Sequence, residues 1–214
     1  MMARFSKGEG VRFSSHLDTQ RLFQRAMRRA KIPCRFSQGY NPHPVMSFAS
    51  ALPVGATSEG EYVDIALAQE LASESFVERM NGALPEAVRI VGARPIEDSF
   101  PSLTSKVYAA RYRVDFLQGG EWAAPVRHFL SKDSVFVEKQ GKGGLRSLDI
   151  RPLVYELTLK GDGLDMLLAA SSAASVSPKL LLKALYGGES SARLCRLEMY
   201  ADRQGTSLFD WKEQ

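Results

Sequence analysis

Two histidines are the residues whose type and setting best suit chemistry. His43 lies in the segment Phe-Ser-Gln-Gly-Tyr-Asn-Pro-His-Pro, residues 36–44, where a proline on each side stiffens the backbone. His16 stands at the start of a predicted helix, two residues before Asp18. An imidazole changes charge near neutral pH, so either residue can move a proton or contact a phosphate. Structural roles are the alternative: His43 tying its loop to a sheet, and His16 exposed in a first helical turn.

A row of cations on the same predicted helix is the second candidate site. At about 100° per residue, Arg21, Arg25 and Arg28 share one side, with Arg29 flanking and Ile32 also on the solvent side. Guanidinium groups bind phosphates through paired hydrogen bonds, so this face predicts contact with RNA or another polyanionic partner. A solvated helix face is the alternative. The predicted binding set is Arg21, Arg25, Arg28, Arg29, Lys31 and Arg35.

Two smaller sets complete the candidates. Gln38, Tyr40, Asn41 and His43 form a predicted ligand loop, in which Tyr40 offers a ring for stacking. In the second half of the chain, Asp149 and Arg151 lie two residues apart, so they share a face if the segment is extended. This spacing allows a ligand clamp or a purely local ion pair.

The two cysteines, Cys34 and Cys195, belong to no metal-binding or redox spacing, so we expect reduced thiols in or near the core. The sequence also has no phosphate-binding loop, dinucleotide-binding glycine pattern or nucleophile elbow. These observations favour a chain that holds no cofactor or metal and is not an enzyme on its own.

Composition and charge are those of an ordinary folded protein with an uneven charge distribution. Of 214 residues, 44% are hydrophobic and 24% charged. Residues 1–35 hold nine cations against two acids, whereas residues 59–98 hold nine acids against three arginines. The basic end can attract a polyanion, and the acidic stretch can meet a cationic partner. No apolar run reaches about 18 residues, and no signal peptide is evident, so we expect a cytoplasmic location without membrane contact.

Hydrophobic periodicity predicts an α+β fold of two tandem ferredoxin-like (β-α-β-β-α-β) modules with antiparallel sheets. The first module, residues 1–98, is predicted to contain a strand within 3–14 that alternates around Val11 and Phe13, a helix ending near Ile32, strands at 45–52 and 61–68, a helix at 71–84 and a strand from Val88. The second module, residues 104–203, is predicted to contain strands at 108–117, 135–138, 152–159 and 193–201 and helices at 121–130 and 177–185. A frayed tail, residues 204–214, would follow, although Phe209 and Trp211 can pack back.

Several blocks of the sequence resemble the radical SAM-linked protein family, a bacterial group found beside, or fused to, cobalamin-binding-type radical SAM proteins. The blocks are Ser15-His-Leu-Asp18, Phe36-Ser-Gln-Gly-Tyr-Asn-Pro-His-Pro44, Ser47-Phe-Ala49, Ala51-Leu-Pro-Val-Gly55, Ser58-Glu-Gly-Glu-Tyr-Val-Asp64 and Asp149-Ile-Arg-Pro-Leu153. The resemblance implies a stand-alone partner of a radical SAM protein and carries no established activity. Because this chain lacks Cys-x3-Cys-x2-Cys, the iron–sulfur cluster and S-adenosylmethionine would belong to that partner.

These observations favour an accessory protein that presents a macromolecular substrate, RNA or something ribosome-related, to a separate radical SAM enzyme. One alternative is a metal-independent endoribonuclease, in which His16 or His43 moves protons during attack by a ribose 2′-hydroxyl. Another is a small-molecule sensor that uses the loop from Gln38 to His43.

Overall fold

The computed structural model describes residues 1–117, 121–141, 144–187 and 192–212. The first half contains strands β1 (Met2–Lys7), β2 (Met46–Phe48), β3 (Thr57–Ile65) and β4 (Val88–Arg94) and helices α1 (His16–Arg29) and α2 (Ser73–Ala83). The second half contains strands β5 (Ala109–Phe116), β6 (Phe136–Gly141), β7 (Gly144–Asp149), β8 (Val154–Lys160), β9 (Gly163–Ala169) and β10 (Ala192–Tyr200) and helices α3 (Leu103–Lys106), α4 (Ala123–Leu130) and α5 (Pro178–Tyr186). This content confirms the predicted α+β class.

One mostly antiparallel sheet runs through both halves. Its strand order is β4-β1-β3-β10-β5-β9-β8, and β2 pairs with β3 beside this path. The neighbours are antiparallel except β3 and β10, which run parallel where Cys195 faces Thr57 and Arg196 faces Ser58. The halves are therefore joined through a short parallel contact. The predicted domain limits remain a prediction, with β4 and β5 lying on either side of the predicted linker.

Helix α1 has well-defined ends. Ser15 and Asp18 form a capping box, in which the Asp18 amide donates to the Ser15 hydroxyl at 3.2 Å. At the other end Lys31 adopts a positive φ of 50°, and the Arg79 guanidinium donates to the Ala30 carbonyl at 2.7 and 2.9 Å. Because α1 ends at Arg29, a helical projection does not apply to Ile32, which is buried rather than on the solvent side as predicted.

The prediction for the opening strand was partly wrong. Strand β1 ends at Lys7, where the Gly8 amide donates to the Ala87 carbonyl just before β4, and residues 9–11 then form a short 3-10 turn. Phe13, expected to alternate inward on that strand, is instead 70% exposed.

In the second half the predicted strands at 135–138 and 152–159 correspond to β6 and β8, but two strands were missed. Strand β7 pairs with β6 in a separate two-stranded hairpin, and β9 pairs with both β5 and β8. A two-residue turn, Gly161-Asp162, connects β8 to β9, and Gly161 adopts the positive φ of 57° that this tight turn favours.

The chain after Gln204 folds back onto the body, so the frayed tail was a wrong expectation as far as residue 212. Leu208 is buried, and its amide donates to the Met199 carbonyl at 3.1 Å. The Trp211 ring meets Phe100 edge-on at 5.5 Å, and the Lys106 ammonium lies 4.6 Å from the indole centroid.

Candidate nucleic-acid interface

Three arginines of α1 form an exposed cationic face. Arg21, Arg25 and Arg28 all lie at the surface. The Arg21 side chain is 68% exposed, and its single ion pair among the described residues, to Asp18, is long at 3.7 Å. Within the described ranges, the Arg25 and Arg28 side chains make no ion pair or hydrogen bond. We call Arg21, Arg25 and Arg28 the α1 arginine face, and it can accept phosphates without first losing a strong internal contact.

The remaining predicted cations have other surroundings. Arg29 donates to the Ala83 carbonyl at the end of α2, at 2.6 Å. Arg35 donates to the Leu67 carbonyl at 3.1 Å and pairs with Asp98. Lys31 is exposed in the turn after α1. The structure thus separates the predicted set into exposed cations and two arginines engaged in holding the fold.

The predicted ligand loop is exposed and internally tied. The Ser37 amide donates to the His43 carbonyl at 2.9 Å, the His43 amide donates to the Ser37 hydroxyl at 3.1 Å, and that hydroxyl lies 3.0 Å from His43 Nδ1. Gln38 and Asn41 are exposed, and Tyr40 is fully so. His43 therefore closes the loop, and the loop presents a free phenol ring to solvent.

His16 lies in a different environment. Its ring meets Phe48 edge-on at 5.4 Å, and it lines a cavity of about 10 Å³ together with Lys7 and Glu61. The contacts of His16 and His43 share no residue, so the structure does not assemble them into a catalytic pair. The third histidine, His128, is exposed on α4.

A buried charged cluster at the junction of the halves was missed by sequence reasoning. Arg196 is 2% exposed, and its Nη1 donates to both Glu61 carboxylate oxygens, at 3.0 and 3.1 Å. Its Nε donates to the Tyr112 hydroxyl at 3.2 Å, and its Nη2 donates to the Ala51 carbonyl at 3.0 Å. Lys7, also buried, donates to the Ser14 carbonyl at 2.9 Å. The only sequence signal was that Arg196 has apolar neighbours on both sides in a predicted strand, and its partner lies 135 positions earlier.

Burial dominates the electrostatics of this cluster. Burial raises the pKa of the Glu61 carboxyl, and the Arg196 guanidinium offsets part of that rise. Burial also lowers the pKa of the Lys7 ammonium, against the opposing effect of Glu61. The Arg196 charge is retained, because the attraction of Glu61 raises its pKa despite burial.

Asp149 and Arg151 hold a turn rather than each other. The Asp149 carboxylate accepts from the Val135 amide at 2.8 Å and from the Arg151 amide at 3.1 Å. The Arg151 guanidinium donates to the Lys132 carbonyl at 3.1 Å. Both side chains thus serve the entry to β8, and they form no ion pair with one another.

The acidic stretch does not form one continuous patch. Glu61 is buried against Arg196, Glu59 pairs with Arg113 at 3.4 Å, and Asp98 pairs with Arg35. Burial raises the pKa of Asp64, which lies in the sheet. The attraction expected for a cationic partner is therefore reduced by internal pairing.

Both cysteines are buried free thiols, and burial raises the pKa of each. In the part of the chain that the structure describes, no group of three or more histidine, cysteine or acidic side chains is placed to hold a metal ion. Over the same residues, no helix has the length and apolar character needed to cross a membrane.

Comparison with known proteins gave a family and likenesses to solved structures. No curated protein matches the sequence. A solved structure described as "Crystal Structure of a Cbf5-Nop10-Gar1 Complex" aligns with 95% of this chain at 7% identity and a TM-score of 0.48. This chain spans 50% of the length of that one, and a likeness of this degree carries no conclusion. A family model, in contrast, matches residues 1–178. The chain belongs to the family described as "Uncharacterized protein conserved in bacteria (DUF2344)".

Proposed function

We propose that this chain is an accessory protein that binds RNA, or a ribosome-related substrate containing RNA, and presents it to a separate enzyme. The observation that carries the proposal is the α1 arginine face, where three guanidinium groups lie exposed at one-turn intervals. From Arg21 to Arg28 the helix rises about 10 Å, enough to meet more than one phosphate. Binding of this kind is electrostatic and does not depend on base sequence.

The partner enzyme is proposed to be a radical SAM protein of the cobalamin-binding type. This part of the proposal is supported by the resemblance of residues 15–64 to the radical SAM-linked family. In that arrangement the partner supplies the iron–sulfur cluster and S-adenosylmethionine, and this chain supplies binding. Presentation of a substrate needs a rigid platform, and the shared sheet with its buried junction is suited to that role.

We also interpret the two halves as tandem ferredoxin-like modules. The strand orders β4-β1-β3-β2 and β10-β5-β9-β8 support this interpretation, since each half places its last strand beside its first in an antiparallel arrangement. The hairpin of β6 and β7 is then an insertion in the second module.

The surroundings of the histidines favour binding over cleavage. An endoribonuclease needs an imidazole that faces the ribose and a cation near the phosphate. His16 instead rests on Phe48 beside a cavity that holds no more than about one water, and Nδ1 of His43 is engaged by Ser37. For a sensor, the Gln38–His43 loop would have to enclose its ligand, whereas its side chains are exposed.

The test of RNA binding is the salt dependence of affinity for a fluorescently labelled single-stranded RNA, measured by anisotropy. Replacing all three residues of the α1 arginine face with glutamate is expected to weaken binding strongly and to reduce the salt slope by about 2, since each phosphate contact contributes about 0.7 for a single strand. Arg127→Glu, on helix α4, is the control that changes charge elsewhere. Binding that is insensitive to salt, or that persists in the triple variant, contradicts the proposal.

The test of the partner is purification of the tagged protein from its native cells, with identification of the bound protein and RNA. A co-purifying iron–sulfur protein with a Cys-x3-Cys-x2-Cys sequence is the expected result. Recovery of RNA without any such protein would refute the presentation role while leaving RNA binding intact.

A further inference from the structure

A groove between the two halves combines aromatic, apolar and cationic side chains outside the sites described above. Its volume of 620 Å³ is in the range of ligand sites in proteins. One wall comes from the first half, and α5 with the start of β10 forms the other. We call it the junction groove, and the side chains that matter here are Phe13, Val54, Leu117, Lys179, Lys183 and Arg193.

Phe13 lies at the groove with most of its side chain exposed to solvent. The ring is 70% exposed, and the Arg12 guanidinium carbon lies 4.6 Å from its centroid. The Arg12 carbonyl accepts a hydrogen bond from the Gly55 amide at 2.9 Å, and Gly55 has a positive φ of 88° that favours glycine. Exposing a phenylalanine in this way is unfavourable in water, and the exposed ring is available to stack on a planar ligand group.

The cations of the groove are available to an anion. Lys179 and Lys183 lie one turn apart on α5, Arg193 lies on β10, and all three are exposed. None of the three forms an ion pair within residues 1–117, 121–141, 144–187 and 192–212. The neighbouring carboxylates are already engaged: Glu9 pairs with Arg12, and Asp115, opposite Arg193 in the ladder, pairs with Arg113.

We infer that the junction groove binds a segment of single-stranded RNA, with a base stacked on Phe13 and the flanking phosphates at Lys179, Lys183 and Arg193. Among the described residues that line the groove, four are cations (Arg12, Lys179, Lys183 and Arg193) and none is a carboxylate, which favours phosphates over a neutral or basic peptide. The exposed ring favours a base over an inorganic anion, because every base offers a flat face for stacking. This inference rests on the proposed RNA binding and states where a base is held.

The groove and the α1 arginine face are close along the chain. Phe13 precedes Ser15, the residue that caps α1, by two positions. From this proximity in sequence we expect that a strand whose base stacks on Phe13 continues along α1 to the arginines. The two sites would then act as one path, with stacking at its start and charge along its length.

The experiment uses the full chain and a labelled single-stranded oligouridine of about twelve nucleotides. Phe13→Ala is expected to weaken binding about 5- to 150-fold, the range found for loss of one base-stacking ring. The matched control is Phe136→Ala, which removes an equally exposed phenylalanine, 68%, from the β6–β7 hairpin and should leave affinity unchanged. Lys179→Glu with Lys183→Glu should reduce the salt slope by about 1.4. Ultraviolet crosslinking with mass spectrometry should place a uridine on the peptide that contains Phe13.

Each contrary outcome has a distinct meaning. One outcome is loss of binding in the α1 arginine variant with normal binding by Phe13→Ala and by the double lysine variant. It would refute RNA binding by the junction groove and leave the proposed function intact. Absence of RNA binding by the unmodified protein would overturn both. Equal affinity for uridine monophosphate and for the oligonucleotide would overturn the assignment to RNA, because the groove would then be a free-nucleotide site.

Discussion

Replacing Arg196 with methionine is expected to destabilise the protein by about 3 to 5 kcal/mol, because the change leaves a buried carboxylate without its partner. Glu61 is 3% exposed, and both of its oxygens accept from Arg196. The same substitution removes the hydrogen bonds to Tyr112 and Ala51. The penalty is therefore large because three contacts end together at a buried site.

Urea denaturation followed by tryptophan fluorescence and circular dichroism measures this effect. With a denaturant slope of about 2 to 3 kcal/mol per molar, the midpoint should fall by about 1 to 2.5 M. The control is Arg193→Met on the same strand, an exposed arginine whose loss should change stability by no more than about 0.5 kcal/mol.

Removing both charges separates the cost of an unpaired carboxylate from the value of the pair. Glu61→Leu combined with Arg196→Met should restore most of the stability lost in the single variant, since an apolar pair of similar volume is often as stable as a buried ion pair. A single variant as stable as the unmodified protein, or a double variant no more stable than the single one, would refute this account of the junction.

Three other predictions concern the local structure. Ser15→Ala removes the α1 cap and should cost about 1 kcal/mol in thermal or chemical unfolding, whereas Ser15→Asp should restore it; equal stability of all three proteins would show that the cap contributes nothing. Burial raises the pKa of Tyr186 to about 12, so the stabilisation from its protonated form is complete below about pH 10 and is lost as the pH rises through about 12. Absorbance titration at alkaline pH should reveal this late ionisation as a tyrosinate signal above pH 11 that is smaller in Tyr186→Phe. An equal signal above pH 11 in the variant would contradict the prediction. Gly163→Ala should destabilise by about 1 to 3 kcal/mol, because an added Cβ would lie 2.3 Å from the Val114 carbonyl oxygen. Its counterpart Gly82→Ala, in α2 with open space around it, should instead stabilise by up to about 1 kcal/mol, and the reverse order of the two melting temperatures would refute the reasoning.

The elements of the first half could be predicted from local signals. The Ser15–Asp18 capping box and the spacing of Phe23, Ala26 and Met27 are local patterns from which α1 and its buried side can be predicted. Prediction was weaker where the chain leaves regular structure. Ile32 follows a turn at positive φ, and no helical projection accounts for such a turn.

Strand β9 shows a different reason why sequence patterns fail to predict an element. It is buried along most of its length, so it lacks the alternation by which half-buried strands are recognised. The Gly161-Asp162 turn is the local signal from which this hairpin can be predicted.

The candidate site also contains residues that local sequence signals predict and residues that they do not. The α1 arginine face was visible because its spacing is local, and the exposure of Tyr40 agrees with a turn-rich loop. The Glu61–Arg196 pair and the junction groove depend on which distant segments meet, and one sequence does not contain that information. The pairing of Arg35 with Asp98, 63 residues apart, was hidden for the same reason.

The parallel contact between β3 and β10 makes the order of synthesis relevant to folding. When the first half emerges from the ribosome, Glu61 is present but Arg196 has not yet been made, so the early sheet carries a carboxylate whose guanidinium partner comes only with the final strand. The family match ends at residue 178, before β10 begins. A fragment cut at that limit would keep Glu61 and lose Arg196. It would also leave unpaired the edges of β3 and β5 to which β10 binds.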